Sequence, residues 1–272
     1  MKETDWRLII DGPYSGAWNM AIDESILIHV AQDVAPSTLR LYSWNPYALS
    51  LGHAQSIHDV NMDNIQSLGY DLVRRPTGGR AILHADEITY SVAVSCDNKV
   101  ITGNVLESYR TISLALIKAL ELIGISSESK LKNEADLIHS KNAVCFEFPS
   151  DYEITWDGKK MIGSAQARKN NGLLQHGAIP LYGDITRIVD TLNIEEERKK
   201  EAKQRLSMRA TTISEAAGRS ITWQAMADVL INSFSIVFGI QLVESQLTDS
   251  EISKAKELVS EKYANNTWTM RI

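Results

Sequence analysis

The sequence predicts an α+β fold, and three observations lead to this prediction. Predicted strands follow one another as a meander between residues 143 and 181, whereas the chain has helical patterning from about residue 184 to its end. Two dipeptides typical of hairpin turns, Asp157-Gly158 and Asn171-Gly172, separate consecutive strands of that meander. Residues 88–96 alternate between apolar and small side chains, which is typical of a half-buried strand. Helices segregated from such strands characterise α+β proteins rather than a doubly wound sheet.

The first seventy residues are predicted to form short strands and two helices. Strands are expected over residues 6–10, 38–44 and 47–51, with Pro13 and Pro46 breaking the chain between elements. Ser15 is placed to cap a helix over residues 16–31, which carries apolar side chains near one face. A shorter helix is predicted over residues 61–68.

The middle of the chain is predicted to contain three strands, one long helix and then the meander. Strands over residues 71–74 and 81–83 flank a loop that contains glycine, and the alternating strand follows. Asn104 is placed to cap an amphipathic helix that reaches residue 123, and Gly124 ends it. The meander comprises predicted strands over residues 143–148, 152–156, 159–168 and 173–181.

The C-terminal part is predicted to be helical and to pack on the rest of the chain. Helices are expected over residues 194–207, 223–238 and 248–263. We find no second hydrophobic core large enough for an independent domain, and no clear linker precedes these helices.

Composition is that of an ordinary globular protein and argues against several classes of function. Of the 272 residues, 44% are hydrophobic and 23% are charged. The two cysteines are too few for a disulfide framework, and no stretch approaches the ~18 apolar residues of a membrane helix. The first residues lack the features of a signal peptide, so we expect a cytoplasmic protein. The net charge of −6 argues against a nucleic-acid partner, because phosphate binding favours basic domains.

A loop rich in arginine and glycine is the first candidate for a functional site. It reads Arg74-Arg75-Pro76-Thr77-Gly78-Gly79-Arg80 and continues Ala81-Ile82-Leu83-His84. Paired glycines allow a ligand to approach the backbone closely, and arginines can face an acidic carrier or a phosphate. The loop lacks the spacing of a phosphate-cradling loop, and a tight turn with solvated arginines is the alternative.

The second candidate is a strand that begins with two lysines and contains a glycine. It reads Lys159-Lys160-Met161-Ile162-Gly163-Ser164-Ala165. Because side chains alternate along a strand, one of the two lysines must face inward. A glycine inside a strand often marks the close approach of a ligand, although an edge lysine that hinders aggregation is the alternative.

Cys145 is the candidate nucleophile. It lies in the segment Cys145-Phe146-Glu147-Phe148-Pro149-Ser150-Asp151-Tyr152-Glu153. A free cysteine in an apolar strand is commonly a small buried side chain, and we expect that role for Cys96. Cys145 would act as a nucleophile only if a nearby cation lowered the pKa of its thiol.

Together, the three segments resemble the lipoate–protein ligase and octanoyltransferase superfamily, which shares a fold with biotin protein ligases. The loop resembles the family motif R-R-x-[ST]-G-G followed by an apolar run and a histidine. The strand resembles K-[IV]-x-G-S-A, in which Lys160 matches the functional lysine. The segment from Cys145 to Glu153 resembles C-F-x-x-P-S-[WD]-Y-E, where LipM-type octanoyltransferases place their nucleophile. The resemblance covers roughly residues 6–190.

This resemblance implies a biotin/lipoate protein ligase-like catalytic domain of α+β class, with mixed and antiparallel sheets flanked by helices. Residues 1–190 would form the catalytic core, and residues 191–272 a helical C-terminal part packed on it. The implied enzyme is an acyltransferase in lipoate biosynthesis. It would move octanoyl from octanoyl-acyl carrier protein to a lysine of a lipoyl domain, such as that of the glycine cleavage H protein.

The mechanism implied by the resemblance has two steps and needs neither ATP nor a metal. Cys145 would carry the octanoyl group as a thioester, and Lys160 would lower the pKa of the thiol and stabilise the oxyanion. The expected substrate-binding residues are Arg75, Thr77, Gly78, Gly79, His84, Gly163, Ser164, Ala165, His176 and Gly177.

The two histidines of this set have different expected roles. His84 is expected to make a structural hydrogen bond after the glycine loop. His176 is expected to line the acyl pocket, and a Cys–His pair is the rival activation scheme. We do not expect His176 to act as that base, because nothing in the sequence orients it.

A basic surface is expected to dock the carrier. Acyl carrier proteins are acidic, so complementary charge would speed their encounter with the enzyme. The candidate residues are Arg74, Arg80, Arg168 and Lys169. A rim of solvated charges without a docking role is the alternative.

Three other functions stay open on the sequence alone. They are an ATP-dependent lipoate or octanoate ligase, an octanoyl amidotransferase between lipoyl-bearing proteins, and a non-catalytic subunit that binds a lipoyl domain. A ligase would release pyrophosphate and tolerate Cys145→Ser, whereas a binding subunit would form a complex without turnover. Ligases typically lack the cysteine, and the amidotransferase loop lacks the paired arginines, so the transferase is favoured.

Overall fold

The computed structural model describes residues 5–131 and 152–272. The strands are β1 (Asp5–Ile10), β2 (Thr38–Tyr42), β3 (Ala48–Leu51), β4 (Asp71–Arg74), β5 (Ile82–His84), β6 (Glu87–Ser95), β7 (Glu128–Leu131), β8 (Tyr152–Trp156), β9 (Lys159–Lys169), β10 (Gly172–Pro180) and β11 (Gln241–Glu244). The helices are α1 (Gly16–Ala31), α2 (Met62–Ser67), α3 (Val105–Leu122), α4 (Glu196–Arg209), α5 (Ile213–Ala217), α6 (Trp223–Phe238), α7 (Asp249–Leu258) and α8 (Asn266–Thr269). Short 3-10 segments cover Ile57–Asp59 and Ile185–Thr191, and a π-helical turn covers Val259–Tyr263.

Two sheets organise the described part of the chain. The larger has the strand order β11-β1-β2-β6-β10-β9-β8-β7, and the smaller has the order β4-β3-β5. In the larger sheet β1 runs parallel to β2 and to β11, and the other neighbouring pairs are antiparallel. In the smaller sheet β3 is parallel to β4 and antiparallel to β5. Mixed and antiparallel sheets flanked by helices confirm the predicted fold class.

Helices cover both faces of the larger sheet. On one face Leu116 of α3 and Phe234 of α6 share a buried cluster with Val92 of β6. On the other face Ile26 of α1 shares a cluster with Leu174 of β10. Helix α1 also contacts β3 and β4, so it lies between the two sheets. The smaller sheet has its own cluster with α2, α4 and the 3-10 segment Ile185–Thr191.

The strand predicted over residues 88–96 is not half-buried. Strand β6 is buried on both faces up to Val94. Its small side chains Thr89, Ser91 and Ala93 lie on the face that α1 covers, because Ala93 belongs to the α1 cluster and alternate residues share a face. Cys96 follows the strand and is half-buried rather than part of the core.

The C-terminal part contains a strand that the sequence analysis did not predict. Strand β11 pairs in parallel with β1 and extends the larger sheet, so helical patterning does not continue from residue 184 to the end. Its four residues are exposed or half-exposed, and such a short strand gives no recognisable alternation. The helices around it follow the prediction, with α6 packing on α3 and α7 on α1.

The second hairpin turn lies one residue before its predicted position. Asn170 and Asn171 have positive φ angles of 50° and 65°, and Gly172 is already the first residue of β10. A Cβ atom at Gly172 would lie 2.6 Å from Leu27 Cδ1, so the absence of a side chain at this position lets α1 pack against β10.

No helix in the described ranges is both long and apolar enough to cross a membrane.

Candidate active site

The candidate site lies where the loop between β4 and β5 meets strands β9 and β10 of the larger sheet. The hydroxyl of Thr77 in this loop is 2.7 Å from Nε2 of His176 in β10. Strands β9 and β10 pair with Ser164 opposite Gly177 and Ala165 opposite His176. Segments that are far apart in the sequence therefore meet at one place.

Arg75 shapes the glycine loop from the inside. Its guanidinium donates to the carbonyl oxygens of Ser50 at 2.9 Å, Gly78 at 2.8 Å and Arg80 at 2.7 Å. Gly79 adopts a φ of +92°, which favours glycine. The loop is thus a tight turn, but Arg75 is buried inside it rather than solvated.

Gly52 is a site residue that the sequence analysis missed. A Cβ atom there would lie 1.9 Å from the carbonyl oxygen of Gly79, so only glycine lets the two backbone segments approach. Gly52 follows β3, and its carbonyl oxygen accepts a hydrogen bond from Nη1 of Arg74 at 2.9 Å. The signal in the sequence was a lone glycine at a strand end, which on its own does not indicate a contact with a loop 27 residues away.

The assignment of Arg74 to a docking surface is wrong. Arg74 is fully buried, and its guanidinium donates to backbone carbonyl oxygens of Gly52, Thr269 and Arg271. These bonds tie the C-terminal residues to the segment after β3. A guanidinium used in this way holds the structure together and is inaccessible to a partner protein.

The other three docking candidates lie at the surface. Arg80 is half-exposed at one side of an open groove whose other side includes Gln166 and Ala167 of β9. Arg168 is exposed and donates to the carbonyl oxygen of Gly103 at 2.7 Å. Lys169 is 55% exposed and lies 3.0 Å from Glu24.

A mainly apolar cavity lies between the smaller sheet, α1 and strands β9 and β10. The space between its lining residues, counted together with the adjoining open solvent, is about 290 Å³. Its apolar wall is formed by Met20, Trp44, Ile82, Ala165 and Ala178, and its polar atoms come from Tyr42, Ser50, Arg75, His84, Thr89 and His176. Gly163 and Gly177 also line it. Such a wall suits an alkyl chain, because burying methylene groups is favourable.

His84 is fixed on three sides. Its Nε2 lies 2.8 Å from the hydroxyl of Ser50, and its Nδ1 lies 2.9 Å from Glu87. The ring stacks on Trp44, with 3.9 Å between ring centroids. Trp44 is itself held by a 2.8 Å hydrogen bond from its indole nitrogen to Thr89. This part of the cavity wall is therefore rigid.

Gly177 allows β10 to pack closely against β9 and Tyr90 beside the cavity. A Cβ atom at Gly177 would lie 2.6 Å from Tyr90 Cε1 and 2.8 Å from the carbonyl oxygen of Gly163. The hydroxyl of Ser164 is 2.7 Å from the hydroxyl of Tyr90. Burial raises the pKa of Tyr90, so this phenol stays protonated and able to donate.

His176 is oriented by Asp23, a residue that the sequence analysis did not identify. The Nδ1 atom of His176 is 3.0 Å from Asp23 Oδ2, while Nε2 faces Thr77. His176 is therefore oriented, contrary to the expectation from the sequence. Asp23 lies in α1, 153 residues away, and one acidic residue on a helix gives no sign of such a contact. Burial lowers the pKa of His176 despite the neighbouring Asp23, so the imidazole is neutral at neutral pH.

Asp23 is a fully buried carboxylate with several donors. Arg40 donates to Oδ1 at 2.8 Å, and the hydroxyl of Tyr42 donates to Oδ2 at 2.9 Å. Burial opposes ionisation, but the hydrogen bond from His176 and the charge of Arg40 hold the pKa of Asp23 below its ordinary value. The carboxylate is therefore ionised at neutral pH.

Lys160 faces inward at the start of β9, and Lys159 faces outward. Lys160 is 4% exposed, with its Nζ 3.2 Å from Glu153 Oε1 in β8. Lys159 lies 3.4 Å from Glu215 at the surface. The pairing register of β8 with β9 shifts between Ile154 and Thr155. Irregularities of this kind change the direction of side chains and are common beside functional sites.

Cys145 and the strand predicted over residues 143–148 lie outside the described residues. Among residues 5–131 and 152–272, no group of three or more His, Cys, Asp or Glu side chains is arranged to hold a metal ion. Six of the described candidates line the apolar cavity, namely Arg75, His84, Gly163, Ala165, His176 and Gly177. Gly78 and Gly79 border the open groove instead, and Lys160 lies three residues before Gly163 on the same strand.

Comparison with known proteins finds relatives along the whole chain. Residues 15–235 match the family described as the lipoyl protein ligase A/B catalytic domain. The chain is 38% identical to the octanoyltransferase LipM of Brevibacillus brevis, covering 98% of this chain and 99% of that protein. It is 37% identical to the octanoyltransferase LipM of Clostridioides difficile, covering 98% of each.

Solved structures share the fold at lower identity. A bi-partite lipoate protein ligase from Thermoplasma acidophilum, described with its E2 lipoyl domain, gives a TM-score of 0.81 at 23% identity and covers 98% of this chain and 96% of that one. Lipoate-protein ligase A bound with ATP gives a TM-score of 0.79 at 22% identity and covers 98% of each chain.

Proposed function

This chain belongs to the lipoyl protein ligase A/B catalytic-domain family, and we propose that it passes an octanoyl group through a thioester on Cys145. It is an acyltransferase that transfers octanoyl groups in lipoate biosynthesis. The observation that carries this function is the match to octanoyltransferases, at 35% identity or more over essentially the whole chain. The apolar cavity beside the glycine loop supports an alkyl substrate.

In the proposed first step, octanoyl-acyl carrier protein brings its thioester to the site. The Cys145 thiolate attacks the carbonyl carbon, and the bond from that carbon to the carrier sulfur breaks. The carrier leaves as a thiolate that takes up a proton, and the enzyme keeps the octanoyl group. The alkyl chain enters the cavity, where each buried methylene contributes about 0.8 kcal/mol.

Lys160 is proposed to stabilise the Cys145 thiolate and the oxyanion of this step. The carboxylate of Glu153, 3.2 Å from Nζ, supplies the counter-charge that a buried ammonium group needs. A buried ammonium close to the thiol would lower the pKa of Cys145. The same charge would stabilise the oxyanion in a site from which water is largely excluded.

In the proposed second step, a lysine of a lipoyl domain attacks the octanoyl-enzyme. The bond to the Cys145 sulfur breaks, the lysine amine loses a proton, and an amide forms. We propose the glycine cleavage H protein as the acceptor and the cytoplasm as the compartment. The solved ligase described with an E2 lipoyl domain supports an acceptor of this class. Thioester to amide is energetically downhill, so we propose that neither ATP nor a metal takes part.

The carrier is proposed to dock on Arg80, Arg168 and Lys169. Arg80 borders the groove that leads along the glycine loop, and the two other cations lie at the end of β9. Acidic carriers would be drawn to this rim.

An ATP-dependent ligase is the second candidate function. One observation favours it, because a ligase of this fold has been solved with ATP bound. Such an enzyme would activate free octanoate or lipoate as an adenylate and release pyrophosphate.

Intact mass spectrometry after incubation with octanoyl-acyl carrier protein, without ATP, tests the proposal. We expect an octanoyl adduct on the wild type that is absent from Cys145→Ala and leaves when a lipoyl domain is added. Cys96→Ala is the matched control and should still form the adduct. Transfer that appears only with a free acid and Mg-ATP would overturn the thioester route and establish a ligase.

A further inference from the structure

We infer that Asp23 is a positioning residue: through His176 it fixes the hydroxyl of Thr77, and with it the glycine loop, beside the acyl cavity. The inference rests on the proposed octanoyl transfer, because it assigns a role within that same site. It is argued from three buried side chains that contact one another in sequence: Asp23 of α1, His176 of β10 and Thr77 of the loop between β4 and β5.

The three side chains form a continuous hydrogen-bonded chain. Asp23 Oδ2 is 3.0 Å from Nδ1 of His176, and Nε2 of His176 is 2.7 Å from the hydroxyl of Thr77. All three residues are buried, with at most 5% of their surface exposed. Water therefore does not compete for these bonds, and each polar atom depends on its protein partner.

The direction of each bond follows from the chemistry of Asp23. An ionised carboxylate can only accept, so Nδ1 of His176 must carry the hydrogen. A neutral imidazole then has a lone pair at Nε2, which must accept from the hydroxyl of Thr77. Asp23 thereby sets both the tautomer of His176 and the direction in which Thr77 donates.

The consequence for the site is a fixed loop. The backbone carbonyl of Thr77 also accepts from the backbone N–H of His53 at 2.8 Å, so both ends of the residue are held. Thr77 directly precedes Gly78 and Gly79, whose backbone borders the open groove. The bond to His176 joins this loop to a residue of the larger sheet that lines the cavity, and the neutral ring presents no full charge to an alkyl chain.

The substitution Asp23→Asn reverses this arrangement without changing the size of the side chain. Arg40 needs an acceptor, so the amide oxygen of asparagine should face Arg40. The amide NH2 group then faces the Tyr42 hydroxyl, which can rotate to accept, and His176, whose Nδ1 must become the acceptor while the hydrogen moves to Nε2. Thr77 can no longer donate to His176 and must accept from it.

The experiment combines nitrogen NMR of histidine-labelled full-length protein with single-turnover octanoylation followed by mass spectrometry. Wild type should show His176 with hydrogen on Nδ1, and Asp23→Asn should show it on Nε2. Octanoylation of Asp23→Asn should be slower by roughly tenfold or more. Thr77→Val should be slowed similarly while His176 keeps its wild-type tautomer, and Thr77→Ser should recover most of the rate.

Glu251→Gln is the matched control. Glu251 is also a fully buried carboxylate bound to an arginine, Arg7, but it joins α7 to β1 and does not line the cavity. This variant should lose stability yet octanoylate at the wild-type rate per folded molecule.

Three results would overturn the inference. They are a wild-type His176 with hydrogen on Nε2, an Asp23→Asn rate no lower than that of Glu251→Gln, and equal rates for Thr77→Val and Thr77→Ser. If Asp23→Asn does not fold, the inference is still tested by the tautomer of His176 in the wild type and by the rates of Thr77→Val and Thr77→Ser. Absence of an octanoyl adduct on the wild type would instead reject the proposed function. The NMR measurement does not depend on octanoylation, so it would still report which nitrogen of His176 carries the hydrogen.

Discussion

Lys160 is a buried lysine that we propose to place a positive charge beside the Cys145 thiol. We predict that Lys160→Ala forms the octanoyl-enzyme roughly 100-fold more slowly, because it removes the cation that would stabilise thiolate and oxyanion. Without that cation the pKa of the Cys145 thiol is no longer lowered, so the rate should rise at higher pH than in the wild type. Single-turnover octanoylation measured across pH checks both effects.

Lys159 supplies the control for this prediction. It is the adjacent lysine on the same strand, but it faces outward and pairs with Glu215. Lys159→Ala should keep the wild-type rate and pH profile. A pH profile of Lys160→Ala that matches the wild type would show that Lys160 does not act on the thiol.

Glycines 52 and 78 permit a second residue-scale prediction, because their surroundings differ. A Cβ atom at Gly78 would meet no protein atom within 4 Å, whereas one at Gly52 would lie 1.9 Å from the Gly79 carbonyl oxygen. Gly78→Ala should therefore change the free energy of unfolding by less than about 1 kcal/mol. It should still slow octanoylation if substrate fills the empty space at Gly78.

Gly52→Ala should instead lower the free energy of unfolding by about 1–3 kcal/mol, because the backbone must move to relieve the contact. Urea denaturation and single-turnover octanoylation of the two variants check these outcomes. Full activity of Gly78→Ala would contradict close approach of substrate to the loop backbone.

The sequence could predict residues whose role follows from local pattern and not those whose role depends on distant partners. Alternation along one strand was enough to predict that one of Lys159 and Lys160 faces inward. Asp23 could not be identified, because its partners lie in β2 and β10. Arg74 was misassigned because the carbonyl oxygens that bind its guanidinium belong partly to the C-terminal residues.

At the scale of elements, helix α7 is joined to the larger sheet by a buried ion pair. Arg7 of β1 donates to Glu251 of α7 with an Nη1–Oε2 distance of 2.8 Å, and Glu251 is fully buried. Burial opposes ionisation, but the hydrogen bonds from Arg7 and Thr248 hold the pKa of Glu251 below its ordinary value. The carboxylate therefore stabilises the folded state above its unfolded pKa, and this contribution is lost as pH falls through its folded pKa.

We predict that Glu251→Gln lowers the free energy of unfolding by about 3–5 kcal/mol at pH 7, because it leaves Arg7 without a buried counter-charge. The difference from the wild type should begin to narrow as pH falls below about 4.3, where the Glu251 carboxylate of the unfolded chain takes up a proton, and should vanish only below the lowered pKa of the folded state. Urea denaturation of both proteins at several pH values measures the difference. A gap that is independent of pH would show that the charge of Glu251 does not account for it.

Element boundaries were predictable where caps and periodicity are local. Asn104 and Glu107 form a complete capping box at the start of α3, and α6 begins at the predicted Trp223. Ser15 does precede α1, but its side chain caps nothing, and the backbone N–H of Gly16 donates to Asp71 of β4 instead. Strand β11 was missed because its pairing with β1, rather than its own sequence, makes it a strand.

At the scale of the whole molecule, the net charge of −6 opposes the approach of an acidic carrier. A local cluster of cations at the groove would offset this repulsion over distances of about 10 Å, the screening length at moderate salt. Arg80 and Arg168 are the candidates best suited to a test. Lys169 is less suitable because it also pairs with the buried Glu24 of α1.

We predict that the double variant Arg80→Gln with Arg168→Gln lowers kcat/KM for octanoyl-acyl carrier protein by roughly threefold to tenfold at low salt. The dependence of kcat/KM on ionic strength should become shallower, because fewer charges then attract the carrier. Lys118→Gln is the control. This half-exposed residue pairs with Glu121 and lies about 20 Å along α3 from Val105, the first residue of the helix, which follows the Gly103 carbonyl that Arg168 contacts. Its salt dependence should equal that of the wild type. If the double variant also keeps the wild-type salt dependence, the two arginines do not dock the carrier.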